Sequence, residues 1–314
     1  MQDSKLKKKE ENEIDILELI RIVWDDKLRV LIVSSVAAII SVIYSLSLPN
    51  IYQSEALLVP AEDKNTGSLS RMAGQFGSLA SLAGVSLRND GASKVELGLE
   101  VLKSRKFVRE FVERHKIKPQ LMAIDRWNSS TRELHLDNDV YDEKTKTWLD
   151  EDGPPTNEQV YYTFIDALFI QEESSSDFVR VGFKHKSPDL AAEWTALVVQ
   201  DLNDAIRRQE IKEAESSIEY LRQQINQSPL SELRKLFYGL IQSQTEIMML
   251  ANVREEYVFK TIDPAIVPEN KFKPRRAVIC IVGTFLGGFF AVIYSLFRHY
   301  YRVPNILKLT RVSN

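Results

Sequence analysis

Cysteine is nearly absent from the sequence, and neither sign of charge is in large excess. The single cysteine, Cys280, lies inside an apolar run, so the chain cannot form an intrachain disulfide. The formal net charge is only −3, and basic residues cluster beside the apolar runs rather than along one element. We therefore do not expect a nucleic acid as a partner.

The sequence also lacks the motifs of common enzyme chemistry. It contains no Walker-type phosphate loop, no G-x-S-x-G, no H-E-x-x-H and no paired metal-ligand spacing. The acidic run from Asp137 to Asp152 does not have the spacing of a calcium loop, so we interpret it as a solvated surface. Four scattered histidines are interpreted as surface or internally hydrogen-bonded side chains: His115, His135, His185 and His299. We predict no catalytic residue, no cofactor and no metal, and a protein that is not an enzyme.

Two uncharged apolar runs lie near the two ends of the chain, Val30 to Leu48 and Ala277 to Phe297. A helix needs roughly 20 apolar residues to cross the hydrocarbon core of a bilayer, so each run predicts a transmembrane helix. The predicted organisation is an N-terminal segment (1–29), a first span (30–48), a large domain (49–276), a second span (277–297) and a tail (298–314).

Basic residues predict the orientation of the first span. Arg21, Lys27 and Arg29 precede it, and no Lys or Arg follows it until Lys64. We therefore expect both termini to be cytoplasmic and, in a bacterium, the large domain to be periplasmic. Before this span, Ile14 to Trp24 has the spacing of a short amphipathic helix on the membrane, although an extension of the span fits the pattern equally well.

The first half of the large domain predicts a strand, a loop and two helices. Alternation predicts the strand Tyr52 to Val59, and the Gly-, Ser- and Ala-rich stretch 66–93 is interpreted as a mobile, weakly helical loop. Periodicity predicts a helix from Val95 to His115 with four core residues, Leu99, Leu102, Phe107 and Phe111. The polar stretch 127–155 is interpreted as irregular. Thr156 and Gln159 form a capping-box spacing that starts a helix through Leu168.

The second half predicts a hairpin and one very long helix. The hairpin is formed by Phe169–Glu172 and Phe178–His185, and a last strand spans Tyr257–Ile262. Ser187 as N-cap, with Pro188 after it, starts a helix over 188–227, and a return helix covers 229–254. Late in the long helix a narrow apolar stripe has coiled-coil spacing: Ala214, Ile218, Leu221 and Ile225. We expect this part to pack as an extended rod or an antiparallel hairpin.

Glycine and proline mark two further places near the second span. Gly283, Gly287 and the adjacent Gly288 form a G-x-x-x-G pattern that lets two membrane helices approach closely, so we expect this face to pack on another membrane helix. Pro264, Pro268 and Pro274 interrupt the approach to the span.

In order along the chain, these features resemble the Wzz-type chain-length determinants, also called polysaccharide co-polymerases. The resemblance rests on the two-span layout and on four further features: IDILELIRIVWDDK at 14–27, EVLKSRKFV at 100–108, HKSPDLAAEW at 185–194 and the proline-punctuated approach. Lys271 stands where the family commonly has another proline. The resemblance implies an α+β membrane protein with a periplasmic α/β base that carries a long helical rod.

The resemblance also implies a function that the residues alone do not reveal. It implies a non-enzymatic inner-membrane protein that forms a homo-oligomeric ring and sets the modal length of a polysaccharide, such as lipopolysaccharide O-antigen, made by a Wzy-type polymerase. A lipid-linked glycan is a candidate partner. The alternative is a component of capsule or exopolysaccharide export that works with a separate tyrosine kinase, since the short tail carries no nucleotide-binding motif. A two-span sensory receptor fits less well because it needs a long cytoplasmic signalling region.

Overall fold

The computed structural model describes residues 24–61, 90–150, 153–173, 177–227 and 230–309. The chain forms two compact units, one made of residues 1–50 with 272–314 and the other of residues 51–271. The elements, in chain order, are α1 (Lys27–Ser47), β1 (Tyr52–Pro60), α2 (Asp90–Lys103), α3 (Arg105–His115), α4 (Lys118–Met122), β2 (Ile124–Asn128), β3 (Glu133–Leu136), β4 (Tyr141–Asp142), β5 (Thr147–Trp148), α5 (Asn157–Ala167), β6 (Leu168–Glu172), β7 (Val179–His185), α6 (Pro188–Gln227), α7 (Ser231–Val253), β8 (Phe259–Asp263) and α8 (Arg276–Leu309).

The first unit contains two helices that are long and apolar enough to cross a membrane. They are α1 and the part of α8 from Arg276 to His299. Most of their apolar side chains are exposed, which is unfavourable in water and favourable against lipid. The predicted amphipathic helix lies outside the described residues except at Trp24.

The second unit is built on an antiparallel sheet in the strand order β6-β7-β1-β8. The predicted hairpin and the predicted strand from Tyr52 are confirmed, and the register pairs Ala56 with Val181. Side chains alternate along the two central strands, so Ala56, Leu58, Val181 and Phe183 all face the core. The strand predicted at 257–262 is β8, which pairs with β1.

Aromatic rings join four elements over the inner face of this sheet. Phe111 of α3, Phe164 of α5, Phe183 of β7 and Trp194 of α6 are almost fully buried. Ring centroids lie 5.5 Å apart for Phe111 and Phe164, 5.1 Å for Phe164 and Phe183, and 5.9 Å for Phe183 and Trp194. Burying one such phenylalanine contributes about 1.5–3 kcal/mol, so this chain of contacts is a main source of stability for the unit.

The helix predicted from Val95 to His115 is wrong as a single helix. The chain forms α2 and α3 with a break at Ser104, whose extended backbone lets Oγ accept a hydrogen bond from the Phe107 N–H at 3.2 Å. The helix α2 also begins at Asp90, inside the predicted loop 66–93, while residues 62–89 lie outside the described part. The four predicted core residues of this region are all buried, as expected: Leu99, Leu102, Phe107 and Phe111.

The stretch 127–155 is also more regular than predicted. It holds two small antiparallel hairpins, β2–β3 and β4–β5, and the short helix α4 precedes them. Asp142 at the second hairpin accepts hydrogen bonds from the Lys144 N–H and the Thr145 hydroxyl. Such side-chain bonds to the following backbone stabilise a turn in a sequence that is otherwise polar. The predicted capping box is confirmed, because Thr156 and Gln159 exchange their reciprocal hydrogen bonds at the start of α5.

Candidate functional site

In the first unit, the glycines of α8 lie against small residues of α1. A Cβ atom placed on Gly283 would lie 1.9 Å from Ser41 Oγ, and one placed on Gly287 would lie 2.3 Å from Ala37 Cβ. At Gly288 the same Cβ would lie 3.2 Å from Ser34 Oγ. Real side chains do not approach so closely, so Gly283 and Gly287 leave no room for any larger residue. The apolar helix that these glycines contact here belongs to the same chain.

Polar contacts close the same helix pair at both ends. Ser295 Oγ donates a hydrogen bond to Asp26 Oδ2 at 2.9 Å, and Arg276 Nη2 donates one to Asn50 Oδ1 at 3.2 Å. Between them, Ser45 and Ala291 are buried in the contact region although most of the surrounding apolar side chains are exposed. Between membrane helices, close packing of small residues and hydrogen bonds replace apolar burial as the source of affinity. Close packing of small residues therefore holds the two helices together along their length, and hydrogen bonds hold them together at their ends.

The small-residue face of α1 is a feature that the sequence analysis missed. Ser34, Ala37 and Ser41 recur at intervals of three and four residues, which places them on one helical face. That spacing complements the glycines of α8, and it was visible in the sequence. It was passed over because serine and alanine are common in apolar spans.

The second unit extends into a pair of packed helices, the 40-residue α6 and the 23-residue α7. The predicted stripe lies on the second half of α6, where Ala214, Ile218 and Ile225 are buried and Leu221 is half-buried. That α6 stands as an extended rod, and that the stripe holds an assembly in register, both stay predictions.

Buried polar side chains join the first half of α6 to the sheet. Asn203 Oδ1 accepts hydrogen bonds from the backbone N–H groups of Val258 and Phe259 at 2.8 and 2.9 Å, and its Nδ2 donates to the Phe259 carbonyl at 3.0 Å. Thr195 Oγ1 accepts from the Phe183 N–H at 3.0 Å. Asn203 and Thr195 are both buried, so Asn203 pairs backbone groups at the start of the edge strand β8 and Thr195 pairs the Phe183 N–H on the central strand β7. These bonds fix the direction in which the long helix leaves the sheet.

The proline-punctuated approach runs from the end of β8 to the start of α8. Pro264 and Pro268 are described and belong to no helix or strand. The peptide bond between Lys273 and Pro274 is cis. Ser54 Oγ of β1 donates a hydrogen bond to the Ile266 carbonyl at 2.7 Å, which ties the early part of the approach to the sheet. A mechanical role for the three prolines stays a prediction.

The histidines lie in two structural settings in the second unit. His115 Nε2 lies 2.9 Å from Asp201 Oδ2, an atom that also accepts a bond from Arg114 Nη1 at 2.7 Å. His185 is buried: the Ser187 N–H donates to its Nδ1 at 3.0 Å, and its Nε2 lies 3.0 Å from the Gln120 carbonyl. Burial lowers the pKa of His185, so the neutral ring with its proton on Nε2 fits both partners.

Two carboxylates of the acidic run stabilise local turns. Asp137 Oδ1 accepts from the Asp139 N–H at 3.0 Å, and the hydrogen bond from the Thr145 hydroxyl lowers the pKa of Asp142. Among the described residues there is no group of three or more His, Cys, Asp or Glu side chains that could hold a metal ion. The carboxylates of Asp137 and Asp142 instead accept hydrogen bonds from local backbone and hydroxyl donors.

Comparison with known proteins bears on the N-terminal third of the chain. Residues 12–115 match a family model described as Wzz, chain length determinant protein. This match confirms the resemblance to the Wzz family. The matched part includes α1, β1, α2 and α3, and therefore one apolar helix together with a central strand of the sheet. Outside the match, the chain carries a second helix that is long and apolar enough to cross a membrane.

Two solved structures are also similar, at low identity. One is described as a full-length bacterial polysaccharide co-polymerase; it is 12% identical, the match covers 92% of this chain and 98% of that one, and the TM-score is 0.38. The other is described as a fragment of WzzB, polysaccharide co-polymerase from Salmonella Typhimurium; it is 11% identical, the match covers 71% and 100% of the two chains, and the TM-score is 0.29. No curated protein matches the chain.

Proposed function

We propose that this protein sets the modal chain length of a bacterial cell-surface polysaccharide, the O-antigen of lipopolysaccharide, without catalysing a reaction itself. It acts as a homo-oligomeric ring together with a Wzy-type polymerase, which forms the glycosidic bonds. The match of residues 12–115 to the Wzz family carries this proposal.

We further propose that α1 and α8 both cross the inner membrane, with both termini in the cytoplasm and residues 49–276 in the periplasm. The asymmetry of basic residues around the first span supports this orientation. Alkaline phosphatase is active only after export, so a fusion at Gly153 should be active and a fusion at Asn314 inactive. The opposite pattern would overturn the orientation.

The experiment that tests the function is a deletion scored on the polysaccharide ladder of whole cells. Without the protein, polymer should still be made, but its length distribution should broaden and lose its modal band. Complementation with the full chain should restore the modal band. Complete loss of polymer would contradict the proposal and favour the capsule or exopolysaccharide export role. The same alternative would be favoured if the effect of the deletion on polymer length were seen only in cells that also contain a partner tyrosine kinase.

A further inference from the structure

A cleft of about 460 Å³ lies in the second unit between the β2–β3 hairpin, the β4–β5 turn and the first turn of α6. Its volume is in the range of about 300–1,000 Å³ that is usual for ligand sites. None of its lining residues belongs to the aromatic chain of the core or to the contact between the two apolar helices. The function proposed above does not account for it.

The floor of the cleft is apolar and is set by strand register. Trp127 of β2 pairs with Leu134 of β3, so the two side chains share one face of the hairpin. Leu136 lies two residues further along β3 and projects from the same face. Trp148 and Trp194 each pack on another aromatic ring, whereas no aromatic ring stacks on Trp127 among the described residues. The indole of Trp127 is half-buried and lines the cleft, so part of its surface is accessible to a ligand.

The rim of the cleft is polar and has a small net negative charge. Its charged side chains are Arg132, Glu143 and Asp189. Arg132 Nη2 is paired with Asp189 Oδ1, and this pair leaves the exposed Glu143 carboxylate as an additional hydrogen-bond acceptor. The remaining guanidinium N–H groups of Arg132 are donors. Such a rim repels phosphate and other anions, but its donors and acceptors suit neutral hydroxyl groups.

We propose that this cleft binds uncharged sugar residues of a polysaccharide. A pyranose ring presents weakly positive C–H groups on its face and hydroxyl groups around its edge. The face would stack on Trp127, whose π-system is negative, and the edge hydroxyls would bond to Glu143 and Arg132. The choice of a saccharide over other neutral polyols rests on the proposed function. The cleft gives the second unit direct contact with the polymer whose length it controls.

The test measures glycan binding by the full chain in lipid nanodiscs. The probe is the delipidated polysaccharide released by mild acid from the cells that express the protein, labelled with a fluorophore for anisotropy. Trp127→Ala should raise Kd about tenfold or more, the order expected for loss of a large aromatic contact. Glu143→Ala, at an exposed turn position, should raise it several-fold. Unlabelled probe should compete, and inorganic phosphate at the same concentration should not.

Trp148→Ala is the matched control, because Trp148 belongs to the neighbouring hairpin but does not line the cleft. It should leave Kd within about twofold of the wild type. Thermal unfolding of each variant separates loss of binding from loss of fold, and Glu143→Ala carries the test if Trp127→Ala does not fold. The proposal that this cleft binds sugar would be overturned if the wild type did not bind the probe. It would also be overturned if the wild type, Trp127→Ala and Glu143→Ala had equal Kd values. Either result would leave the deletion phenotype, and therefore the proposed function, intact.

Discussion

Gly283 of α8 lies so close to Ser41 of α1 that a single methyl group on the glycine would fall 1.9 Å from the serine Oγ. One turn further on, Gly287 meets Ala37 in the same way. We predict that replacing both glycines by leucine forces the two helices apart, since neither neighbour can yield without moving its backbone. Introducing cysteines at Ser34 and Gly288, with Cys280→Ala, provides the readout, because Ser34 Oγ lies only 3.2 Å from the position of a Cβ on Gly288.

Oxidation should crosslink this cysteine pair within one chain. The crosslinked monomer should then migrate faster than the reduced monomer on a non-reducing denaturing gel. Gly283→Leu with Gly287→Leu should reduce the crosslink yield strongly. Val278→Leu with Val282→Leu adds the same residues at the same spacing on an exposed face of α8 and should not change the yield. A crosslink that survives in the glycine double variant would show that these glycines do not set the helix contact. A crosslinked dimer in place of the monomer would show that the facing helix comes from a second copy.

Much of the fold was predictable because its signals are local. Alternation along β1 and β7 gave the inward side chains, and Thr156 with Gln159 marked the start of α5. Ser104 was missed because apolar residues continue at helical spacing across it, from Leu102 to Phe107, so the periodicity does not reveal the break. The β2–β3 and β4–β5 hairpins were missed because each strand is too short and too polar to show alternation.

Asn203 shows the limit of such prediction more sharply, because a lone asparagine in a long helix gives no sign of its partners. In the structure its side chain accepts hydrogen bonds from two backbone N–H groups and donates one to a carbonyl at the start of β8. Asn203→Leu should destabilise the protein by roughly 3 kcal/mol or more, since each buried polar group that is left unpaired costs about 1–3 kcal/mol. Thermal unfolding of the detergent-solubilised chain measures this.

The control for that substitution is Asn252→Leu on α7, where the exposed side chain bonds only to the Met248 carbonyl within its own helix. It should change the unfolding midpoint little. Equal midpoints for Asn203→Leu and the wild type would mean that water or a backbone shift satisfies the start of β8 without the asparagine.

His185 should make the stability of the second unit sensitive to pH. Burial lowers the pKa of His185 in the folded state, whereas in the unfolded chain it has the usual value of 6.5. The unfolded chain therefore binds more protons as the solution is acidified, and stability should be full above about pH 6.5 and fall progressively below it. His185→Gln removes the titrating group and should flatten this dependence between about pH 7 and pH 5. Unfolding midpoints across that range test the slope.

His135→Gln is the comparison for this pH series, because His135 is half-buried on β3 and takes no part in the hydrogen bonds of the His185 ring. Its midpoints should follow those of the wild type. If His185→Gln kept the full pH dependence, His185 would not be the source of the pH sensitivity.

The stripe on α6 links the architecture to length control. Ala214, Ile218 and Ile225 are buried where α6 packs on α7, so a carboxylate placed there must be desolvated without a partner. We predict that Ile218→Asp with Leu221→Asp separates the two helices, loosens the homo-oligomer and shifts the polysaccharide ladder away from its modal band. Tyr220→Asp adds a charge at a side chain on the same helix that is 61% exposed, and it should preserve both the assembly and the ladder. Mass measurement of the detergent-solubilised complex reports the number of subunits in the assembly.

An unshifted ladder in the double variant would show that the stripe takes no part in length control. A shifted ladder with an intact assembly would instead mean that the helix pair acts on length directly, without changing the number of subunits.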